Sequence, residues 1–492
     1  MLLFSIAAIP ASSAPPVLTV DGHRIVDATS GREFVPHGVN WPSFEYACQQ
    51  GWGYSNAGAR PETASAMLEW NINTVRIPLN QDCWLGEDGL PDSQLFGPTL
   101  TSGGYRNAVE SFVGDLTDAG IAVIVDLHWS APPGYQADGL RPMPDVRSDE
   151  FWASVADRFK VNPGVVFDLS NEPHSRWDPQ KPKPDGGTGD WDFRLTWNLW
   201  EHGGGSATNH ADTEYPFTSP AYATTGMTAL VDAVRSTGAR QPIMLGGLDY
   251  ANDLSEWLEH VPEDDQLIAS FHKYPGQICN TKSCWNEQVG TLASQVPVIT
   301  GEVGQNDCQA DHLNRYMDWA DNLHIGYLAR AWWDLDLPAG APSCTNFALI
   351  DDLDGTPTPG YGAAYKAHLT ELPQTLPGVK SYPKSDPGLR IASAWFRGRL
   401  LHTEARLEPV ATRPLTFSVK IVRKVKIGQA KPVKKVRLVR FRSATTGGKV
   451  RLKRKIPRNW TPVKLTVSYP GDARLRPDSE IRKLKVIVDR KR

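Results

Sequence analysis

Eight alternations of a short apolar run with an amphipathic stretch, all within residues 34–372, predict an α/β fold. The expected form is a closed barrel of eight parallel strands ringed by helices, a (β/α)8 TIM barrel, followed by a smaller all-β sandwich. Three observations carry this. Strand and helix patterns take turns, which implies parallel strands joined by helical crossovers. No Gly-rich phosphate turn follows the first strand, which disfavours an open doubly wound sheet. Beyond a Pro-rich stretch the helical periods stop and short two-period strands begin.

The elements follow in order. Val17 to Pro36 alternates around Asp21-Gly22 and Ser30-Gly31 and reads as a hairpin. The first barrel strand is expected over Phe34–Trp41 and the first helix over Pro61–Trp70. Next come strand Asn73–Leu79, helix Tyr105–Ala119, strand Ile121–Trp129 and helix Ser148–Phe159. Gly164 to His174 holds the fourth strand. Val165, Val166, Phe167 and Leu169 are the apolar run of a strand buried on both faces, Ser170, Asn171 and Glu172 are abruptly polar, and Pro173 stops the ladder.

Ser175 to Pro220 interrupts the alternation with Gly, Pro, Asp and Trp in little periodicity. Trp177, Trp191, Trp197 and Trp200 argue against disorder there, and Trp177, Trp197 and Trp200 suit either sugar platforms or a local core. Helix Tyr222–Thr237, strand Pro242–Gly246, helix Asp253–His260, strand Gln266–Tyr274 and helix Trp285–Ser294 resume the pattern. Strand Pro297–Glu302, helix Asp311–Leu323, strand Gly326–Leu335 and helix Gly360–Leu372 complete it.

The 492 residues exceed one ordinary domain, and the apolar and charged fractions of 40% and 22% are those of a globular protein. The net charge of −3 hides a division. Leu389 to Arg492 carries 30 Lys and Arg against 6 Asp and Glu, while Met1 to Gly388 carries 22 against 49. The expected organisation is a secretory signal over 1–16, the barrel over 17–372, a Pro-rich linker over 373–388 and a basic sandwich over 389–492. The signal rests on the apolar Leu2–Ile9 and the small residues Ser12-Ser13-Ala14, without a positive n-region. Secretion or display at the cell surface is the expected localisation, and no later stretch is apolar for long enough to span a bilayer.

Six cysteines, all in the acidic part, suit an oxidising compartment. The expected pairs are Cys48–Cys83, Cys279–Cys284 and Cys308–Cys344. Finger-like spacing with histidines is missing, so no metal and no cofactor are expected.

In barrels of this type the active site lies at the carboxyl ends of the strands. Those ends supply Arg76, His128 and Trp129, Asn171 and Glu172, His272 and Tyr274, Glu302, and finally Trp332, Trp333 and Asp334. There is no convincing serine or cysteine nucleophile in this set. Two carboxylates facing each other across an aromatic-lined cleft suit glycosidic bond cleavage, with one protonating the departing oxygen and the other meeting the anomeric carbon. Aromatic rings offer flat apolar faces to sugars.

The segments Asn73-Thr-Val-Arg76-Ile-Pro, Asp126-Leu-His128-Trp129, Ser170-Asn171-Glu172-Pro173, Ser270-Phe-His272-Lys-Tyr274 and Thr300-Gly-Glu302-Val-Gly, in this order, resemble glycoside hydrolase family 5, the cellulase family. The resemblance covers roughly Val17 to Leu372. It implies a retaining mechanism with Glu172 as general acid and base and Glu302 as nucleophile. It further implies that Arg76 orients Glu302 and keeps it ionised, Asn171 holds the sugar 2-hydroxyl, and Tyr274 bonds to the nucleophile. His128 and His272 complete the network, and Trp333 stacks on the sugar. The insertion after strand four and the Cys279–Cys284 segment depart from the common pattern and border the cleft.

The expected activity is internal cleavage of a β-1,4-glucan, with β-mannanase or exo-acting β-glycosidase activity as alternatives. An inactive carbohydrate-binding cell-surface protein is the rival from another class, and retention of both glutamates and Arg76 argues against it. In the basic region, Lys431 to Arg440 and Lys449 to Lys455 alternate charge with Val and Leu. That pattern suits docking on an anionic cell-surface polymer or on the acidic barrel, and equally a solvated face that keeps edge strands from pairing. Nucleic acid is not an expected partner. The Ser468-Tyr-Pro-Gly-Asp472 turn resembles bacterial immunoglobulin-like repeats.

Overall fold

A computed structural model describes residues 15–86 save 52 and 57, and 100–372 save 184–186, 210–218 and 335–343. It also describes the backbone of strands between 390 and 487. The expected linker and residues 1–14 of the expected signal lie outside the described residues. Two compact units divide at Lys380 and Ser381.

The first unit is a closed barrel of eight parallel strands. They are β1 (His37–Asn40), β2 (Thr74–Asn80), β3 (Ala122–Trp129), β4 (Val165–Asp168), β5 (Ile243–Gly246), β6 (Leu267–Lys273), β7 (Val298–Val303) and β8 (Gly326–Ala329). They pair in sequence order, and β8 closes on β1. Alternation sorts their residues. Val75, Val123, Val125, Val165 and Phe167 join the large core under the helices. Ile124, Val166, Met244, Ile268, Ile299 and Leu328 form a separate apolar column together with Leu18, Ile25 and Phe34. Those last three come from the amino-terminal segment, which is a three-stranded sheet (Leu18–Asp21, Arg24–Asp27, Arg32–Glu33) rather than the two-stranded hairpin expected.

Several sequence expectations need correction. The insertion after β4, read as having little periodicity, holds regular elements in its described residues, in keeping with its tryptophans. It holds a hairpin of Arg176–Pro182 with Thr188–Phe193, helix Trp197–His202, and a hairpin of Gly203–Asn209 with Ser219–Thr225. Its frequent glycines and prolines hid the two-period pattern. The helix expected from Tyr222 begins at Met227, because Tyr222 to Thr225 pair as strand and Gly203 and Gly226 meet where a Cβ on Gly226 would come 2.3 Å from the Gly203 amide nitrogen. Strand eight stops at Ala329, not Leu335. Beyond it the Ala331 amide donates to Phe347 and that of Trp332 to Asn40, both outside the β7–β8 ladder.

All three expected disulfides are present: Cys48–Cys83, Cys279–Cys284 and Cys308–Cys344. No helix among the described residues is long and apolar enough to cross a membrane. The second unit consists of two four-stranded sheets. One contains Arg390–Arg397, a strand the sequence reading missed, with Leu400–Arg406, Lys449–Lys455 and Lys485–Ile487. The other contains Pro414–Val425, Val433–Ala444, Thr461–Tyr469 and Asp478–Lys483.

Candidate active site

Above the apolar column the barrel interior turns polar. Arg76 of β2 is wholly buried and engages acceptors on four strands. Its Nη1 donates to Glu302 Oε1 at 2.8 Å and to Asn40 Oδ1 at 3.0 Å, and its Nε donates to Asp168 Oδ2 at 2.9 Å. Its Nη2 donates to Asn171 Oδ1 at 2.8 Å and lies 3.0 Å from Asp126 Oδ2. His128 Nδ1 lies 2.6 Å from the same Asp126 oxygen. Burial pushes Asp168 up to about 7, with the Arg76 charge opposing it. Burial would lower His128, but its bond to Asp126 and the charges of Asp126, Glu45 and Glu302 raise it.

Glu302 reaches this layer through a break in alternation. Ile299 belongs to the inner column and Thr300 faces outward to the Tyr316 hydroxyl, so strict alternation would turn residue 302 outward. The ladders of β7 with both neighbours shift register here, and Val303 rejoins the outer core. This bulge turns Glu302 inward. Gly301 makes it feasible, because a Cβ there would meet His272 Nε2 and Ser270 Oγ at 3.0 Å.

Glu302 Oε2 accepts from the Tyr274 hydroxyl at 2.5 Å and from Arg330 Nη1 at 3.1 Å. Burial alone would raise the Glu302 carboxyl; the charges of Arg330, His272, Arg76 and His128 outweigh it and hold the group well below the usual carboxylate range. Glu172, at the exit of β4, sits opposite with its Oε1 2.8 Å from His272 Nδ1. An oxygen of each glutamate and a ring nitrogen of His272 lie within 4.8 Å of one another. These three groups are also the one set among the described residues compact enough for an ion.

The structure thus brings together Glu172, Glu302, Arg76, His128, Asn171, His272 and Tyr274. Trp333 stands at the rim, with its Nε1 donating to the Asn346 carbonyl at 3.1 Å and the Arg330 guanidinium 5.9 Å from its ring centroid. Trp332 turns away and is buried edge-on against Trp70. Trp197 and Trp200 are buried as part of the large core, and Trp200 Nε1 donates to the Gly246 carbonyl at the end of β5. Trp177 and Trp191 are a cross-strand pair 45% and 40% exposed.

Sequence reasoning missed Arg330, Glu45 and Tyr250. Arg330 directly follows the true end of β8, a position hidden by reading that strand six residues too long. Glu45 lies five residues past β1, an exit the strand-end reading did not use; burial pushes it up to about 7 against the charges of His128 and Arg330. Tyr250 is the middle of three consecutive non-glycine residues with positive φ, Asp249 to Ala251. Its amide donates to the Pro173 carbonyl, and its ring stacks on His174 at 4.3 Å. This strained turn ties the exit of β5 to that of β4.

A barrel with paired carboxylates at its carboxyl end, one caged by cations and one beside a histidine, is the architecture of a glycosidase. Comparison with known families makes this specific: the model of cellulase, glycosyl hydrolase family 5, matches residues 29–336. The chain belongs to that family and is a glycosidase. An endoglucanase of Paenibacillus polymyxa is 28% identical over 163 residues, or 32% of this chain and 39% of that protein. The match therefore spans about two-fifths of the relative's length. The crystal structure of the native β-glucanase of Saccharophagus degradans shares the fold, with a TM-score of 0.51 and 18% identity over 75% of this chain and 98% of that one. The same figures hold for that β-glucanase in complex with cellotetraose.

Proposed function

We propose that the protein is a retaining endo-β-1,4-glucanase, with Glu302 as nucleophile and Glu172 as general acid and base. The observation that carries this is the approach of the two carboxylates, with oxygens within 4.8 Å. Retaining enzymes hold their carboxyls about 5 to 5.5 Å apart, whereas inverting enzymes leave about 6.5 to 9.5 Å for a water. Oε2 of Glu302 has two donors and Oε1 has one, so Oε1 keeps a lone pair for the anomeric carbon. Glu172 gives its proton to the departing oxygen, and His272 holds it in place. Arg76 occupies the Asn171 carbonyl oxygen, which offers the amide NH2 to the sugar 2-hydroxyl. Asp126 orients His128 along the same wall, and Trp333 supplies the apolar face for the sugar.

The β-1,4-glucan is favoured because the family is that of cellulases and the two relatives described above are an endoglucanase and a β-glucanase. The three disulfides support a secreted or cell-surface setting. The two four-stranded sheets and the Ser468–Asp472 turn support an immunoglobulin-like appendage, and its charge of +24 supports an anionic cell-surface polymer as its partner. Domain limits of 17–372 and 389–492 are part of the same proposal.

A panel of β-glucan, mannan, xylan and aryl β-glycosides with product sizing tests the assignment. Mixed-length oligomers from β-1,4-glucan and retained anomeric configuration in the first product are expected. Undiminished hydrolysis by Glu302→Ala would sink it.

A further inference from the structure

Two guanidiniums reach Glu302, and they are not equivalent. Arg76 is shared among Asp126, Asp168 and Glu302, at 3.0, 2.9 and 2.8 Å. Its single positive charge is divided among three buried carboxyl groups and serves none of them exclusively. Arg330, among the described residues, makes its ion pair with Glu302 alone. Its backbone is fixed from both sides, with the amide donating to the Val303 carbonyl at 2.9 Å and the carbonyl accepting from the Tyr361 hydroxyl at 2.5 Å. Its side chain is 30% exposed while that of Glu302 is 1% exposed, so Arg330 lies on the solvent side of the carboxylate and Arg76 on the buried side.

We propose that Arg330 is a positioning residue for this reaction, a counter-ion and orienting group dedicated to Glu302 that acts beside the shared Arg76. The inference rests on the reading of Glu302 as nucleophile. Charge bookkeeping through the cycle favours the division. In the first half, a Glu302 oxygen bonds to the anomeric carbon, the bond to the leaving oxygen breaks, and the Glu172 proton goes to that oxygen. Glu302 is then a neutral ester and Arg330 has lost its anion. In the second half, water adds to the anomeric carbon, its proton passes to Glu172, and the electron pair of the ester bond returns to Glu302. A guanidinium open to water tolerates the interval without its anion. Arg76, wholly buried, keeps Asp126 and Asp168 throughout.

The groups facing Glu302 are Arg76 from β2, His128 from β3, Glu172 past β4, His272 from β6 with Tyr274 just past it, and Arg330 past β8. Glu45, past β1, bears on His128 and Arg330. Of the charges that keep the Glu302 carboxyl low against burial, Arg330 is the largest.

The test compares wild type with Arg330→Met and Arg330→Lys, with thermal unfolding to establish that each is folded. Two readouts are taken: the titration of the Glu302 side-chain carbon by NMR of ¹³C-glutamate-labelled full-length protein, assigned through Glu302→Gln, and the pH profile of kcat/KM. Loss of a cation raises a carboxylate's pKa, so Arg330→Met should move the Glu302 midpoint and the acid limb together to higher pH by about 1 to 3 units. kcat should fall on the order of 10- to 1000-fold. Arg330→Lys should restore most of the titration shift but less of the rate, because an ammonium lacks the planar fork. A folded Met variant whose Glu302 titrates as in wild type would overturn the proposal and return the role to Arg76. Arg330→Gln replaces the Met variant if that chain does not fold. A wild-type protein that cleaves no glycan while its Glu302 midpoint still depends on Arg330 would remove the proposed activity but uphold the ion pair.

Discussion

The two walls of the cleft are built differently. On the β7 and β8 side, Glu302 is almost wholly buried and held by three donors from three elements, Arg76, Tyr274 and Arg330. On the β4 side, the Glu172 side chain is 15% exposed, and His272 is the one hydrogen-bond partner of its carboxyl among the described residues. The chain then runs straight into the insertion. A group that must keep its charge and its aim is best caged away from water. One that must lose and regain a proton in every turnover needs a path to solvent.

The sharpest break of this comparison is Glu302→Ala, which removes the caged wall's chemistry. Its kcat/KM on β-glucan should fall on the order of 10⁵-fold, measured by reducing-sugar release. Glu172→Ala should cost about 10²- to 10⁴-fold on glucan and far less on aryl glycosides whose leaving group needs no proton. Equal losses on both substrates would deny Glu172 the acid's role. Arg76→Met strips the cage of its base and leaves Asp126 and Asp168 buried without their cation. Thermal or denaturant unfolding should show a loss of about 3 to 5 kcal/mol.

The pH profile sharpens the comparison without a mutation. As the proposed nucleophile Glu302 would attack only when ionised, and its carboxyl is held well below its ordinary value of 4.5. As pH falls, kcat/KM should therefore hold until well below that value and then drop. An acid limb at or above 4.5 would mean that the cage does not act as described. The smallest effect is expected at the exposed tryptophan pair of the insertion, where Trp177→Ala with Trp191→Ala should raise KM for polymeric glucan a few-fold and leave aryl-glycoside hydrolysis unchanged.

Much of this was legible from the chain because a barrel makes strand ends meaningful. His128, Asn171, Glu172, His272, Tyr274 and Glu302 stand where that rule puts them, whereas Arg76 lies in the first half of β2, four residues before its end. Glu302, however, is inward only because of the bulge at Gly301, and two-period alternation from Ile299 points it the other way. Its motif revealed it where its periodicity could not. Arg330 was invisible for the opposite reason. The stretch Ala329 to Leu335, apolar but for Arg330 and Asp334, continues a strand-like pattern past the point where the ladder ends, and ladder ends are set by tertiary contacts such as Trp332 to Asn40. Glu45 and Tyr250 lie on connections, where conformation follows neighbours and local propensity says little.

The amino-terminal sheet has a practical meaning for anyone producing this enzyme. Leu18, Ile25 and Phe34 are the floor of the apolar column on which the charged layer stands. Burying side chains of this kind stabilises by about 1.5 to 3 kcal/mol each. A fusion partner or trimmed start that disturbs Leu18 would let water in from below and weaken the charge network at the opposite mouth. Expression designs should therefore treat that short strand as part of the barrel's foundation.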